Sequence, residues 1–194
     1  MAVVLLRARA SLLVVLALLA CAGAALGAPR VRTAEEHVVK AALIYQLGKF
    51  VTWPESTFQE DASPFVIGIL GEGPVLEALQ EIVQEKKIQG RRVRIVRFEK
   101  VTDIDAAQML YVQKGALKNL DVLRAYARHY NILTMGETAR FVDNGGMVLM
   151  EVDGDNIVFD IHEGEARRAG LRISASLLDI ARRVVREEFS GDTP

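Results

Sequence analysis

Apolar positions along the chain fall into two rhythms. Val38, Val39, Ala42, Leu43, Tyr45, Leu47 and Phe50 recur at three- and four-residue steps, the spacing of one helix face. Thr33 followed by Glu36 forms a capping box, so the spacing predicts a helix that begins at Thr33 and runs to Phe50. Trp53-Pro54 ends it, because a residue before proline avoids helical dihedrals. Residues 65–70 (Phe-Val-Ile-Gly-Ile-Leu) then form a short unbroken apolar run, which predicts a strand buried on both faces. Gly71-Glu72-Gly73-Pro74 turns the chain into a helix over residues 75–83, with Pro74 in its first turn. Residues 91–98 set Val93, Ile95 and Phe98 among arginines, the mark of an edge-like, half-exposed strand. A strand over 107–112, a helix over 117–129 and a strand over 131–135 complete an alternation that favours an α/β sheet with right-handed crossovers.

The last third changes character. Strands over 147–152 and 157–161 flank Asp153-Gly154-Asp155-Asn156 and predict a tight antiparallel hairpin. Helices are expected over 163–169, stopped by Gly170, and over 174–188. No repeat of 20–50 residues and no low-complexity linker interrupts the pattern. The expected architecture is a single α/β domain: a mixed, mostly parallel sheet with an antiparallel C-terminal hairpin and helices on both faces.

Residues 1–27 follow another logic. Arg7 and Arg9 precede an uncharged apolar run, and small residues follow, which is the layout of a secretory signal peptide with cleavage expected after Gly27. The alternative is lipidation of Cys21, which follows Leu18-Leu19-Ala20. Either route exports residues 28–194 as the folded domain. The whole chain of 194 residues carries 24 basic and 25 acidic side chains, and losing Arg7 and Arg9 with the leader moves its net charge from −1 to −3. A mildly acidic domain gives no electrostatic reason to bind nucleic acid. Cys21 is the single cysteine, so the domain has neither an intramolecular disulfide nor a thiolate metal site and must stand on its core.

Chemistry-bearing patterns are sparse. His37, His129 and His162 show no metal-ligand spacing, and no serine lies in a nucleophile motif. Alternation places Asp160 and His162 on one strand face, read here as the solvated end of an edge strand. Gly71-Glu72-Gly73-Pro74 lacks the remaining residues of a phosphate loop, and the 153–156 turn lacks the distal Glu of a calcium loop. No catalytic, metal or cofactor site is expected. Trp53, the one tryptophan, is a buried staple or an exposed binding aromatic, and Arg167-Arg168 complement a helix C-terminus or attract an anionic partner.

Six segments, taken in order, carry a resemblance. Residues 40–54 (KAALIYQLGKFVTWP) match K-A-A-x-x-Y-x-x-x-K-F-x-x-W-P; residues 65–71 match a first strand; and residues 88–93 match x-x-G-R-x-V. Residues 132–137 match an L-T-V-G strand, 141–147 match F-x-x-x-G-G-M, and 166–174 match A-x-x-A-G-L-x-I-S. In this the chain, over essentially all of its mature length, resembles the YfiR-like family of bacterial periplasmic regulatory proteins.

The resemblance implies a non-enzymatic α/β domain that restrains a membrane-bound diguanylate cyclase or sensor kinase through that protein's periplasmic region. An outer-membrane lipoprotein or receptor and a homodimer are further implied partners. Lys49, Trp53, Arg167 and Arg168 are the candidate partner-binding residues. The cysteines used for redox-sensitive disulfides by the best-known member are missing, and Met109 stands where many relatives place a thiol. The alternative reading is a periplasmic small-molecule or cell-wall-fragment binding subunit of a transporter or receptor, with its crevice at the carboxyl ends of the strands near Gly71 and Gly136.

Overall fold

The computed structural model describes residues 29–187 except 61, 105, 118, 154 and 155, with side chains from Glu36 onward. The leader assigned to residues 1–27, with Gly27 and Cys21, lies outside the described residues. The chain divides into two units, Met1–Glu36 and His37–Pro194, and the second holds the sheet.

β2 (Phe65–Leu70) is buried along its whole length, as its unbroken apolar run predicts. It pairs in parallel with β4 (Arg91–Phe98) on one side and β5 (Met109–Val112) on the other. β6 (Leu133–Gly136) and β7 (Val148–Asp153) extend the parallel set beyond β5. β8 (Asn156–His162) folds back antiparallel on β7, and Asp153 opposite Asn156 closes that hairpin. β3 (Lys87–Ile88) borders β4 antiparallel, and β10 (Arg183–Val185) lies parallel to β8, giving the order β10-β8-β7-β6-β5-β2-β4-β3. The mixed, mostly parallel sheet with an antiparallel hairpin is the expected one. Every residue of β2, β5 and β6 is buried, so both faces of this part of the sheet are covered. β4 alternates between exposed and half-buried positions, and only two residues of β3 flank its outer side.

α1 (Pro29–Leu47) starts four residues before Thr33, so the Thr33–Glu36 pair falls inside the helix instead of opening it. α2 (Val75–Ile82) follows Pro74 as predicted. α3 (Leu120–Tyr130) begins later than expected because Asn119 caps it, its Oδ1 accepting the Asp121 N–H at 2.8 Å. α4 (Glu163–Arg168) ends before Gly170. A two-stranded sheet, β1 (Val51–Thr52) with β9 (Arg172–Ile173), escaped the periodicity because two residues carry no rhythm.

The long helix predicted over 174–188 is corrected. α5 (Ala175–Asp179) is one short turn of helix capped by Ser174, and the chain then extends as β10. The cause lies across the sheet edge: Arg182 and Arg183 reach the Asp160 carboxylate on β8, at 2.8 and 3.1 Å, and Arg186 reaches Glu163 at 2.7 Å. These ion pairs and the backbone pairing with β8 outweigh the helical spacing of Leu177, Leu178, Ala181 and Val185.

Candidate functional site

In this strand order the chain leaves β2 for β4 on one side and returns to β5 on the other. The order therefore reverses between β2 and β5, where α/β sheets commonly open a ligand crevice at the carboxyl ends. Here the expected crevice near Gly71 and Gly136 is filled. Gly71 takes φ +97°, and a Cβ on it would lie 2.6 Å from Ala116 Cβ. A Cβ on Gly73 would lie 2.8 Å from Gln113 Oε1, so Gln113 plugs the turn from below. On the β6 side the Phe141 ring lies against Gly136, whose Cβ would meet it at 2.7 Å, and even more tightly against Gly146. The L-T-V-G and F-x-x-x-G-G-M motifs are thus two halves of one packing unit, tied by Met147 N–H donating to Thr134 Oγ1 at 3.1 Å.

A charged lock completes the closure. Lys40 on α1, only 4% exposed, pairs with Glu137 just beyond β6. Glu137 also accepts the Lys114 N–H at 3.1 Å. Burial alone would raise the Glu137 carboxyl, and the Lys40 hydrogen bond and charge outweigh it, so the group sits below its ordinary range.

Among the partner-binding candidates, Trp53 is corrected. It is 5% exposed, its indole N–H donates to the Gln108 carbonyl at 3.0 Å, and its ring meets Phe65 edge-on at 5.0 Å. A side chain so enclosed is a core staple and offers a partner almost no surface. Lys49 is exposed, with Nζ 4.4 Å from the Tyr45 ring centroid. Arg167 is largely exposed while paired to Glu163, and Arg168, also exposed, pairs with Glu165 and Glu187. The β1–β9 pairing and the Ser174 N–H to Phe50 carbonyl bond (2.8 Å) join the W-P segment to the A-G-L-x-I-S segment.

Asp160 and His162 are not solvated, as alternation at an edge had suggested. Both are buried, because β10 covers the β8 edge. Burial would raise Asp160, yet hydrogen bonds from Arg182 and Arg183 hold it below its usual value. Glu163 behaves likewise: burial is outweighed by hydrogen bonds from Arg186 and Arg167. His162 Nδ1 accepts the Glu165 N–H at 3.2 Å, capping α4, and Nε2 lies 3.5 Å from Glu187. Burial depresses the imidazole despite the opposing charges of Glu165 and Glu187.

Ligand atoms of His162, Glu165 and Glu187 fall within 4.8 Å of one another, a spacing that admits a metal. The chemistry does not suit one. Glu165 already takes hydrogen bonds from Arg128 and Arg168, Glu187 pairs with Arg168, and guanidinium charge repels a cation there. This cluster fastens β10 and α4 to β8.

The open end of the sheet is the opposite one. A cleft of about 390 Å³ lies where β2, β5 and β6 begin, lined by Ser56, Phe58, Arg94, Gln108, His129 and Tyr130 among others. Sequence reasoning assigned none of these residues. It also passed over Lys40, although the helical steps Lys40, Ile44, Leu47 put a lysine on the buried stripe of α1, a signal readable from spacing alone.

The fold and its side-chain geometry define an α/β domain whose switch-point crevice is filled by its own residues and whose cleft opens at the amino ends of the strands. The chain belongs to the YfiR/HmsC-like family, whose model matches residues 37–182. No curated protein matches it. Among solved structures, the ABC domain in complex with L-Trp from Streptococcus pneumonia is 12% identical, with 75% of this chain and 60% of that one covered and a TM-score of 0.49. This chain thus spans less than two thirds of that structure.

Proposed function

We propose that this protein is a periplasmic regulator that holds a membrane-bound signalling protein, a diguanylate cyclase or else a sensor kinase, in its inactive state by binding that protein's periplasmic region. Membership of the YfiR/HmsC-like family over residues 37–182 carries this reading. The secretory layout of residues 1–27 supports export, and among the described residues no helix is long and apolar enough to cross a membrane. The protein acts as a binding module and not as an enzyme. A regulator shifts its target only by its differential affinity for the two target states, and a factor of ten there corresponds to about 1.4 kcal/mol.

The contact surface centres on Lys49, Arg167 and Arg168, the candidates with exposed side chains, and on Phe50, an exposed aromatic beside Lys49. Trp53, buried against Phe65, supports this surface from within. Release by an outer-membrane lipoprotein or receptor, and pairing with a second copy, fit the same scheme. A photo-crosslinking residue placed at Lys49 in cells tests it. The expected product is an adduct with an inner-membrane protein that carries a cytoplasmic cyclase or kinase domain. Adducts confined to soluble periplasmic solute-binding or transport proteins would overturn the proposal in favour of a transport subunit.

A further inference from the structure

The cleft at the amino ends of the strands contains polar groups that the fold itself does not use. Gln108 is 5% exposed, and its Oε1 accepts the Val66 N–H at 2.7 Å, which fixes the plane of the amide. Its backbone N–H and carbonyl are also engaged, with Val66, Leu133 and Trp53, while the amide nitrogen donates to no described residue. The amide is thus held in a fixed orientation with a donor open to the cleft, ready to bond a ligand without reorganising.

Arg94 lines the same cleft from β4. On that strand Arg97 pairs with Glu72 and Glu99 and Arg91 donates to the carbonyls of Glu60 and Ser63, whereas the Arg94 guanidinium, which faces the cleft, makes neither an ion pair nor a hydrogen bond with any described residue. The third wall is aromatic. Tyr130 is 44% exposed at the end of α3, its ring set edge-on to His129 at 4.5 Å and tilted against Tyr126 at 5.4 Å.

From this arrangement we infer that the cleft binds an acidic saccharide unit, a pyranose ring bearing a carboxylate. The planar guanidinium of Arg94 suits the carboxylate, for which it supplies two parallel donors. The Gln108 amide and the hydroxyl of Ser56 meet the ring's hydroxyl or acetamido groups. The apolar face of the ring rests on Tyr130. A flat aromatic acid would answer Arg94 and Tyr130 but leave the amide and hydroxyls desolvated without partners, which disfavours it. The volume of about 390 Å³ lies within the range of small-molecule sites, roughly 300–1,000 Å³. This inference stands apart from the regulatory reading, and failure of either leaves the other intact.

Titration calorimetry on the purified protein tests it with glucuronate, N-acetylmuramate, glucose, N-acetylglucosamine, benzoate and inorganic phosphate as probes. Saturable binding is expected for the two acidic sugars, at least about tenfold tighter than for their neutral counterparts or for benzoate and phosphate. Arg94→Ala should erase the difference between glucuronate and glucose, and Tyr130→Ala should weaken both acidic sugars. Both side chains are exposed, so the variants should keep the parent's melting temperature, checked in the same samples. No binding of either acidic sugar, benzoate or phosphate bound as tightly as glucuronate, or glucuronate affinity unchanged in Arg94→Ala would each overturn the inference.

Discussion

The two ends of the parallel sheet are built on opposite principles. At the carboxyl ends, Phe141, Gln113 and the Lys40–Glu137 pair fill the crevice that the strand order opens. At the amino ends the chain leaves a cleft edged by Arg94, Gln108 and Tyr130. Strand order alone therefore does not say which end of an α/β sheet stays open. What separates the two ends is which of them the chain's own side chains fill. The closed end ties α1 to the sheet through buried contacts, so changes there should act on stability. Changes at the open end should leave the fold alone.

The contrast is tested most strongly at Phe141. Phe141→Ala removes the ring that both Gly136 and Gly146 require and should cost about 3–5 kcal/mol in urea unfolding, whereas Arg94→Ala at the other end should cost less than about 0.5 kcal/mol. Equal costs would erase the distinction between the ends. Next in size is Lys40→Met, which leaves Glu137 part-buried without its cation. The expected loss is about 3 kcal/mol, the low end for a broken buried pair because the Lys114 N–H stays in place. The double change Lys40→Met with Glu137→Leu should recover much of it. A double variant no better than the single one would show that the lock contributes through packing and not through its charges.

Acid should loosen the fold in two stages, and both have the same sign. His162 lies below its reference value of 6.5, so the unfolded chain binds a proton that the fold resists, and stability falls as pH drops below 6.5. Asp160, Glu163, Glu187 and Glu137 also lie below their reference values of 3.8 or 4.5, so their contribution is present above those values and is lost as pH falls further. Melting temperature against pH should therefore show an upper decline that His162→Asn abolishes and a lower one that it preserves. The asparagine oxygen can still accept the Glu165 N–H. The smallest effect is expected at Gln113, whose Nε2 is buried without a partner among the described residues. Gln113→Leu should be neutral or stabilise by up to about 1 kcal/mol, and a loss above that would mean that the amide has an unrecognised partner.

Much of this architecture could be read from the residues. β2 matched its apolar run because a strand buried on both faces needs no alternation, and the 153–156 turn announced the β7–β8 hairpin. The C-terminal helix failed because periodicity weighs apolar spacing and ignores charge. Arg182, Arg183 and Arg186 are drawn to Asp160 and Glu163, about twenty residues away in sequence, and that pull is invisible to a local window. The same blindness made Asp160 and His162 look solvated. The closed crevice was equally hidden, since Gly71 and Gly136 read as openings until Gln113 and Phe141 are placed against them. Trp53 as a staple was one of the two readings that the residues left open, and burial decides between them.

The regulatory role is tested most directly by the cyclic-di-GMP content of cells lacking the gene, compared with the parent and with cells in which the full-length chain is restored. The account predicts a rise on deletion and a return to the parental level on restoration, with Lys49→Glu combined with Arg167→Glu restoring less than the wild-type chain at equal abundance. Cyclic-di-GMP that stays unchanged on deletion under every envelope stress applied would contradict it for a cyclase partner.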